Sequence, residues 1–189
     1  TTGAWNTGWH DGRGFVQWTG SQEQRDVVER CWEISARLHP LRWRIGEQHA
    51  HEPELHHIAE QAMWHLLRGE TSCNTYWGAA WVGRAHDDLD RASTREALAL
   101  YKKLLNDYPL YERNDQVLYQ LSRAYEETGQ IDIAMDTLAQ LIKQYPLSRH
   151  MDEAQFRRAE YFFSRKRYLD AEEAYQYVID AGEGSEFYE

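Results

Sequence analysis

The chain of 189 residues has no long apolar run, no clustered basic stripe, four prolines and two cysteines. Without an uninterrupted apolar stretch of about 20 residues, a membrane-spanning helix is not expected. A net charge of −10 leaves no cationic surface for phosphates, which argues against nucleic acid and against anionic lipid. Cys31 and Cys73 are too far apart to form a metal knuckle or a redox pair, and read as two buried thiols, with one disulfide as the alternative. No charged-then-apolar leader opens the chain, which begins at Thr1 as a processed chain or a piece of a longer one would. The cellular address stays open between a bacterial envelope and a cytoplasm.

Composition is uneven. All eight tryptophans lie between Trp5 and Trp81, eight of nine histidines lie at or before His86, and all four lysines follow Leu100. The shift divides the chain into a Trp/His-rich segment, 1–92, and a second segment, 93–189. No Pro/Gly/Ser linker separates them. Ser93 and Glu96 spell a capping box, which predicts that a new helix opens there, after an earlier one over about 74–90.

The second segment repeats itself at an interval of 37 residues. Tyr108-Pro109-Leu110 recurs as Tyr145-Pro146-Leu147. Ala97, Ala134 and Ala171 fall into line, as do Tyr101, Leu138 and Tyr175, then Tyr119 with Phe156 and Tyr125 with Phe162. An interval of this size marks stacked supersecondary units. The pattern predicts a helix over 115–127, a turn at Gly129, and a partner helix over 131–145 stopped by Pro146. Small residues at Ala134 and Ala171 let paired backbones approach.

These residues resemble the tetratricopeptide repeat family. Leu118, Leu121, Ser122, Tyr125, Ala134, Leu138 and Pro146 follow its pattern of large, small, aromatic and proline positions, and Phe156, Ala159, Phe162, Ala171 and Tyr175 repeat it. The resemblance implies an all-α array of antiparallel helix hairpins that binds a protein or peptide. The three residues beyond the family's usual length fall in the loops 110–114 and 147–151. Such arrays use the first helix of each unit to line a groove. Gln116, Gln120, Arg123, Glu127, Gln155, Arg157 and Glu160 are therefore the candidate partner contacts. An array of two and a half repeats leaves one end open, where a homo-oligomer contact is an alternative use.

In the first segment, Ser21 and Gln24 spell a capping box for a helix over 22–38 with Val27, Val28, Cys31, Trp32, Ser35 and Leu38 inward. A second helix is expected from Pro53 to Gly69, burying Leu55, Ile58, Ala62, Met63, Leu66 and Leu67. Trp81 and Ala85 sit where a pseudo-repeat would place its large and small residues. His49, His51, His56, His57 and His65 match no ligand spacing and read as surface imidazoles, so neither a metal nor another cofactor is expected. Ser72, His86 and Asp87 have no nucleophile-elbow pattern around them.

The stretches GAWNTGWHDGRGFVQWTGS and GETSCNTYWGAAWVGRAHDDLD resemble the helical part of glycoside hydrolase family 57, enzymes acting on α-glucans. That resemblance implies carbohydrate contacts at Trp5, His10, Trp18, Cys73, Asn74, Tyr76 and Trp77. The family's paired carboxylates lie in a barrel that this sequence does not contain, so no catalytic residue is assigned and catalysis is not expected. The leading expectation is a protein-interaction scaffold, and a carbohydrate-binding fragment is the alternative.

Overall fold

The computed structural model describes residues 20–71 and 79–182, and every regular element among them is helical. Seven helices follow one another: α1 (Gln22–Gln48), α2 (Pro53–Gly69), α3 (Ala79–Asp107), α4 (Asn114–Glu127), α5 (Ile131–Gln144), α6 (Met151–Ser164) and α7 (Tyr168–Ala181). The chain divides into two compact units, Thr1–Glu96 and Ala97–Glu189.

In the first unit, the Ser21 capping box forms as expected: Ser21 Oγ accepts from the Gln24 N–H at 3.2 Å, and Gln24 Oε1 accepts from the Ser21 N–H at 2.8 Å. Helix α1 does not stop at Leu38 but continues through Pro40 to Gln48. An interior proline costs about 3 kcal/mol by removing a donor and crowding the carbonyl four residues back. Leu41 and Ile45 extend the buried stripe of Val27, Cys31, Ile34 and Leu38 by two turns. Each contributes roughly 1.5–3 kcal/mol on burial, enough to offset the proline. Trp32, expected inside, is 75% exposed, because Ile34 rather than Trp32 takes the inward position of that turn. Cys31 is a free, buried thiol, which burial pushes up to about 11.

Helix α2 runs over the expected residues, with Leu67 on the outside and Ala59 and His65 inside. It ends where Gly69 meets the side chain of Leu89 on α3, so closely that a Cβ at 69 would lie 2.8 Å from Leu89 Cδ2. Helix α3 overturns the expected break at Ser93. Val82, Ala85, Leu89, Ala92 and Ala99 form one buried stripe through it, and no Gly or Pro interrupts the hydrogen-bond ladder there. Glu96 caps nothing: its buried carboxylate accepts from Arg37 Nε at 3.0 Å. The two helices of the expected pseudo-repeat are thus one helix.

The second unit contains two hairpins, α4 with α5 and α6 with α7, and α6 also packs on α5. Their turns superpose in hydrogen-bond pattern. Thr128, Gly129 and Gln130 donate to Ala124, Glu126 and Tyr125, while Arg165, Lys166 and Arg167, 37 residues on, donate to Tyr161, Phe163 and Phe162. Ala134 and Ala171 are both buried at the close approach, whereas Ala97 is only half-buried. The longer connections, 108–113 and 145–150, likewise share their bonds. Tyr111 and Asn114 donate back to Tyr108 and Tyr111, as Ser148 and Met151 do to Tyr145 and Ser148. Their tips, Leu110 and Leu147, are almost fully exposed.

Candidate functional site

Helices α4 and α6, the first of each hairpin, carry all seven candidate contacts. Their amphipathic spacing decides which face stays polar. Leu118, Leu121, Ser122 and Tyr125 of α4 are buried, leaving Gln116 and Gln120 half-buried and Arg123 and Glu127 exposed. On α6, Ala154 and Ala159 go inward, Gln155 and Arg157 are half-buried, and Glu160 is exposed.

A hydrogen-bonded network ties the two helices. Tyr119 Oη donates to Glu153 Oε1 at 2.6 Å, and Arg157 spans Glu126 at 2.6 Å and Glu153 at 3.0 Å. Arg123 Nη1 lies 3.4 Å from Tyr119 Oη. The Tyr119 ring stacks on His150, with centroids 4.2 Å apart. Near the start of α4, Ser148 Oγ donates to Asp115 Oδ2 at 2.6 Å. Burial pushes the Tyr119 phenol above its ordinary range, and the bond to Glu153 adds to this. Asp115 behaves oppositely: burial opposes ionisation, but the bonds from Ser148 and from the Gln116 N–H outweigh it and hold the carboxyl below its usual range. Glu160 accepts from Tyr175 Oη on α7, and burial together with that bond pushes the phenol up to about 12.

Two clefts flank this network. One, of about 390 Å³, is lined by Glu126, Glu153, Phe156, Arg157 and Glu160. The other, of about 350 Å³, is lined by Glu112, Arg113, Asp115, Gln116 and Arg149. The structure therefore places Arg157 and Glu160 in one cleft and Gln116 in the other. Gln155 holds the register of Leu118, a buried position, rather than that of a cleft residue. The sequence marks Tyr119 and Phe156 as repeat positions rather than as contacts, and marks neither Glu126 nor Glu153. Glu153 was findable, since a shift of 37 aligns it with Gln116 just as it aligns Arg157 with Gln120.

In the first unit, Trp5, His10, Trp18, Cys73, Asn74, Tyr76 and Trp77 lie outside the described residues, as does Ser72. His86 faces Arg30, its Nδ1 3.0 Å from Nη1. The histidines do not all lie on the surface. His49 is buried at the end of α1 with Nδ1 2.8 Å from Glu52. His65 is buried with Nδ1 2.9 Å from Asp88, a carboxylate also approached by Arg68 at 3.3 Å. Asp88 belongs to α3, a partner that spacing along α2 cannot reveal, whereas Glu52 lies only three residues beyond His49. Among the described residues no group of His, Cys, Asp and Glu is arranged to hold a metal ion, and no helix is long and apolar enough to cross a membrane.

Paired helices, repeated turns and a polar face on successive first helices define an all-α helical-hairpin array. Residues 116–148, which comprise α4 from Gln116 on, α5 and part of the following loop, match the tetratricopeptide repeat family. Neither the comparison with curated proteins nor that with solved structures produced a match.

Proposed function

We propose that the chain is a protein-interaction scaffold that takes an extended peptide or a partner helix on the α4–α6 face. Tetratricopeptide repeats as a class point to protein binding, and the match over 116–148 supports that much. The observation carrying the finer reading is the Tyr119–Glu153–Arg157–Glu126 network. It holds the first helices of two hairpins in fixed register beside a cleft floored by Phe156. A preorganised surface loses little conformational entropy on binding, so its polar groups can select a ligand rather than order themselves around it. The cleft supplies an aromatic anchor site and an acidic rim of Glu126, Glu153 and Glu160. Arg123 and Gln120 stand one helical turn apart on the same helix, placed to bond a ligand backbone or carboxylate.

The test is affinity capture with wild-type protein and with the Gln120→Ala/Arg123→Ala double variant, followed by mass spectrometry. Partners captured by wild type should be lost or strongly depleted with the variant. An identical partner set from both would remove the α4–α6 face as the binding surface.

A further inference from the structure

Helix α1 of the first unit has an outer face that the described residues leave uncovered. Val28, Trp32, Ser35, His39, Trp43 and Gly46 follow at intervals of three or four residues and so share one side of the helix. Arg30 and Arg37 leave α1 on its far side, where they bond to His86, Asp90 and Glu96 of α3. Trp43 is 63% exposed and Trp32 more so, which puts two indoles on the outside of one helix. A single exposed aromatic is ordinary, but a row of them marks an interaction surface.

The relief of this face identifies its occupant. A cleft of about 330 Å³ opens at Ser35, beside Trp32, and one of about 300 Å³ opens at Gly46, beside Trp43. Gly46 has no positive φ, and a Cβ there would meet nothing within 4 Å, so neither backbone conformation nor packing within the described chain calls for glycine. An antiparallel copy related by a two-fold axis at His39 brings together residues equally far from that position. Trp32 and Gly46 are each seven residues from His39, and Trp43 and Ser35 are each four. One axis thus seats both indoles at small residues with open clefts. The six residues include no carboxylate, ammonium or guanidinium, so two copies meet there without like charges. Four indoles, each burying about 150–250 Å² and covering a comparable area of cleft, reach the roughly 1,200–2,000 Å² of a specific interface. We propose that the chain forms an antiparallel homodimer through α1, with Trp32 seated at Gly46 and Trp43 at Ser35 of the second copy. A face that matches itself closes on itself, so assembly stops at two.

Sedimentation equilibrium of the whole chain at micromolar concentrations should show a monomer–dimer equilibrium. Trp43→Ala and Gly46→Leu should each weaken it about tenfold or more. Both positions are exposed, and circular dichroism would verify that each variant keeps its helix content. The Gln120→Ala/Arg123→Ala variant, altered in the other unit, should dimerise as wild type does, which separates this surface from the α4–α6 site. His39→Cys lies on the axis and should give a disulfide-linked dimer under mild oxidation, above the level of the unsubstituted chain. Arg44→Cys, exposed on another side of α1, should not. A chain that stays monomeric throughout would leave the face to a different partner and overturn the proposal. So would a dimer that Trp43→Ala and Gly46→Leu leave intact, or one linked through Arg44→Cys and not through His39→Cys.

Discussion

Lys166 stands in the turn position that Gly129 occupies one repeat earlier, and both backbones have positive φ, 60° and 77° respectively. The turn of each hairpin demands a left-handed residue, and only the first supplies glycine. A side chain in that region costs roughly 1 kcal/mol.

Lys166→Gly should therefore stabilise the protein, by a few tenths to about 1 kcal/mol after the added freedom of the unfolded chain is subtracted. Gly129→Ala should destabilise it by about 1 kcal/mol, although no atom would crowd the new Cβ. Urea midpoints measure both. Equal and small effects at the two sites would mean that the turns are not equivalent.

Gly69→Ala should destabilise for a different reason. Its Cβ would meet Leu89 Cδ2 at 2.8 Å and Cγ at 3.0 Å, and Leu89 is fully buried and cannot swing aside. Overpacking of this kind costs about 1–3 kcal/mol, more than alanine gains in helix propensity. A rise in thermal midpoint for Gly69→Ala would contradict the close approach of α2 and α3.

Pro40→Ala should stabilise. The variant restores an N–H within α1 at an exposed position, and up to about 3 kcal/mol is available. Denaturant unfolding followed by helical ellipticity gives the value, and a neutral or negative effect would show that the proline itself favours the packing of Leu41 and Ile45.

His65 links stability to pH. Burial holds its imidazole below the ordinary 6.5, against the pull of Asp88 and with help from Arg95 and Arg91. The unfolded chain thus takes up a proton before the folded one does. Stability from this group is present above about pH 6.5 and declines as pH falls from there toward the lower folded value. Chemical denaturation at stepped pH should show a slope over that window that flattens in His65→Gln. An unchanged slope would place the proton uptake elsewhere.

The hairpins were legible in the sequence because their determinants are local and repeated. Ala134, Leu138 and Pro146 each fix a feature that recurs at one interval, and the helix bounds follow from them within one residue. The errors came from signals that depend on distant partners. Ser93 and Glu96 spell a cap, but Arg37, 59 residues away, claims the Glu96 carboxylate. The helix expected over 22–38 runs on past Pro40, because two buried turns beyond it outweigh the missing donor. For the candidate face, the sequence located α4 and α6 yet not the Tyr119–Glu153 bond. Tyr119 looked like a core position, and only the close approach of the two helices brings its hydroxyl to a carboxylate.

The unbroken run of α3 through Ser93 has a practical side. The change in composition invites dissection of the gene at that point, yet a cut there would fall in the middle of a ladder of backbone bonds. A fragment beginning at 93 would open with four unsatisfied amides and would lose the turns that precede Ala99. Fragments meant to stand alone would do better to carry the entire rod, from Ala79 onward.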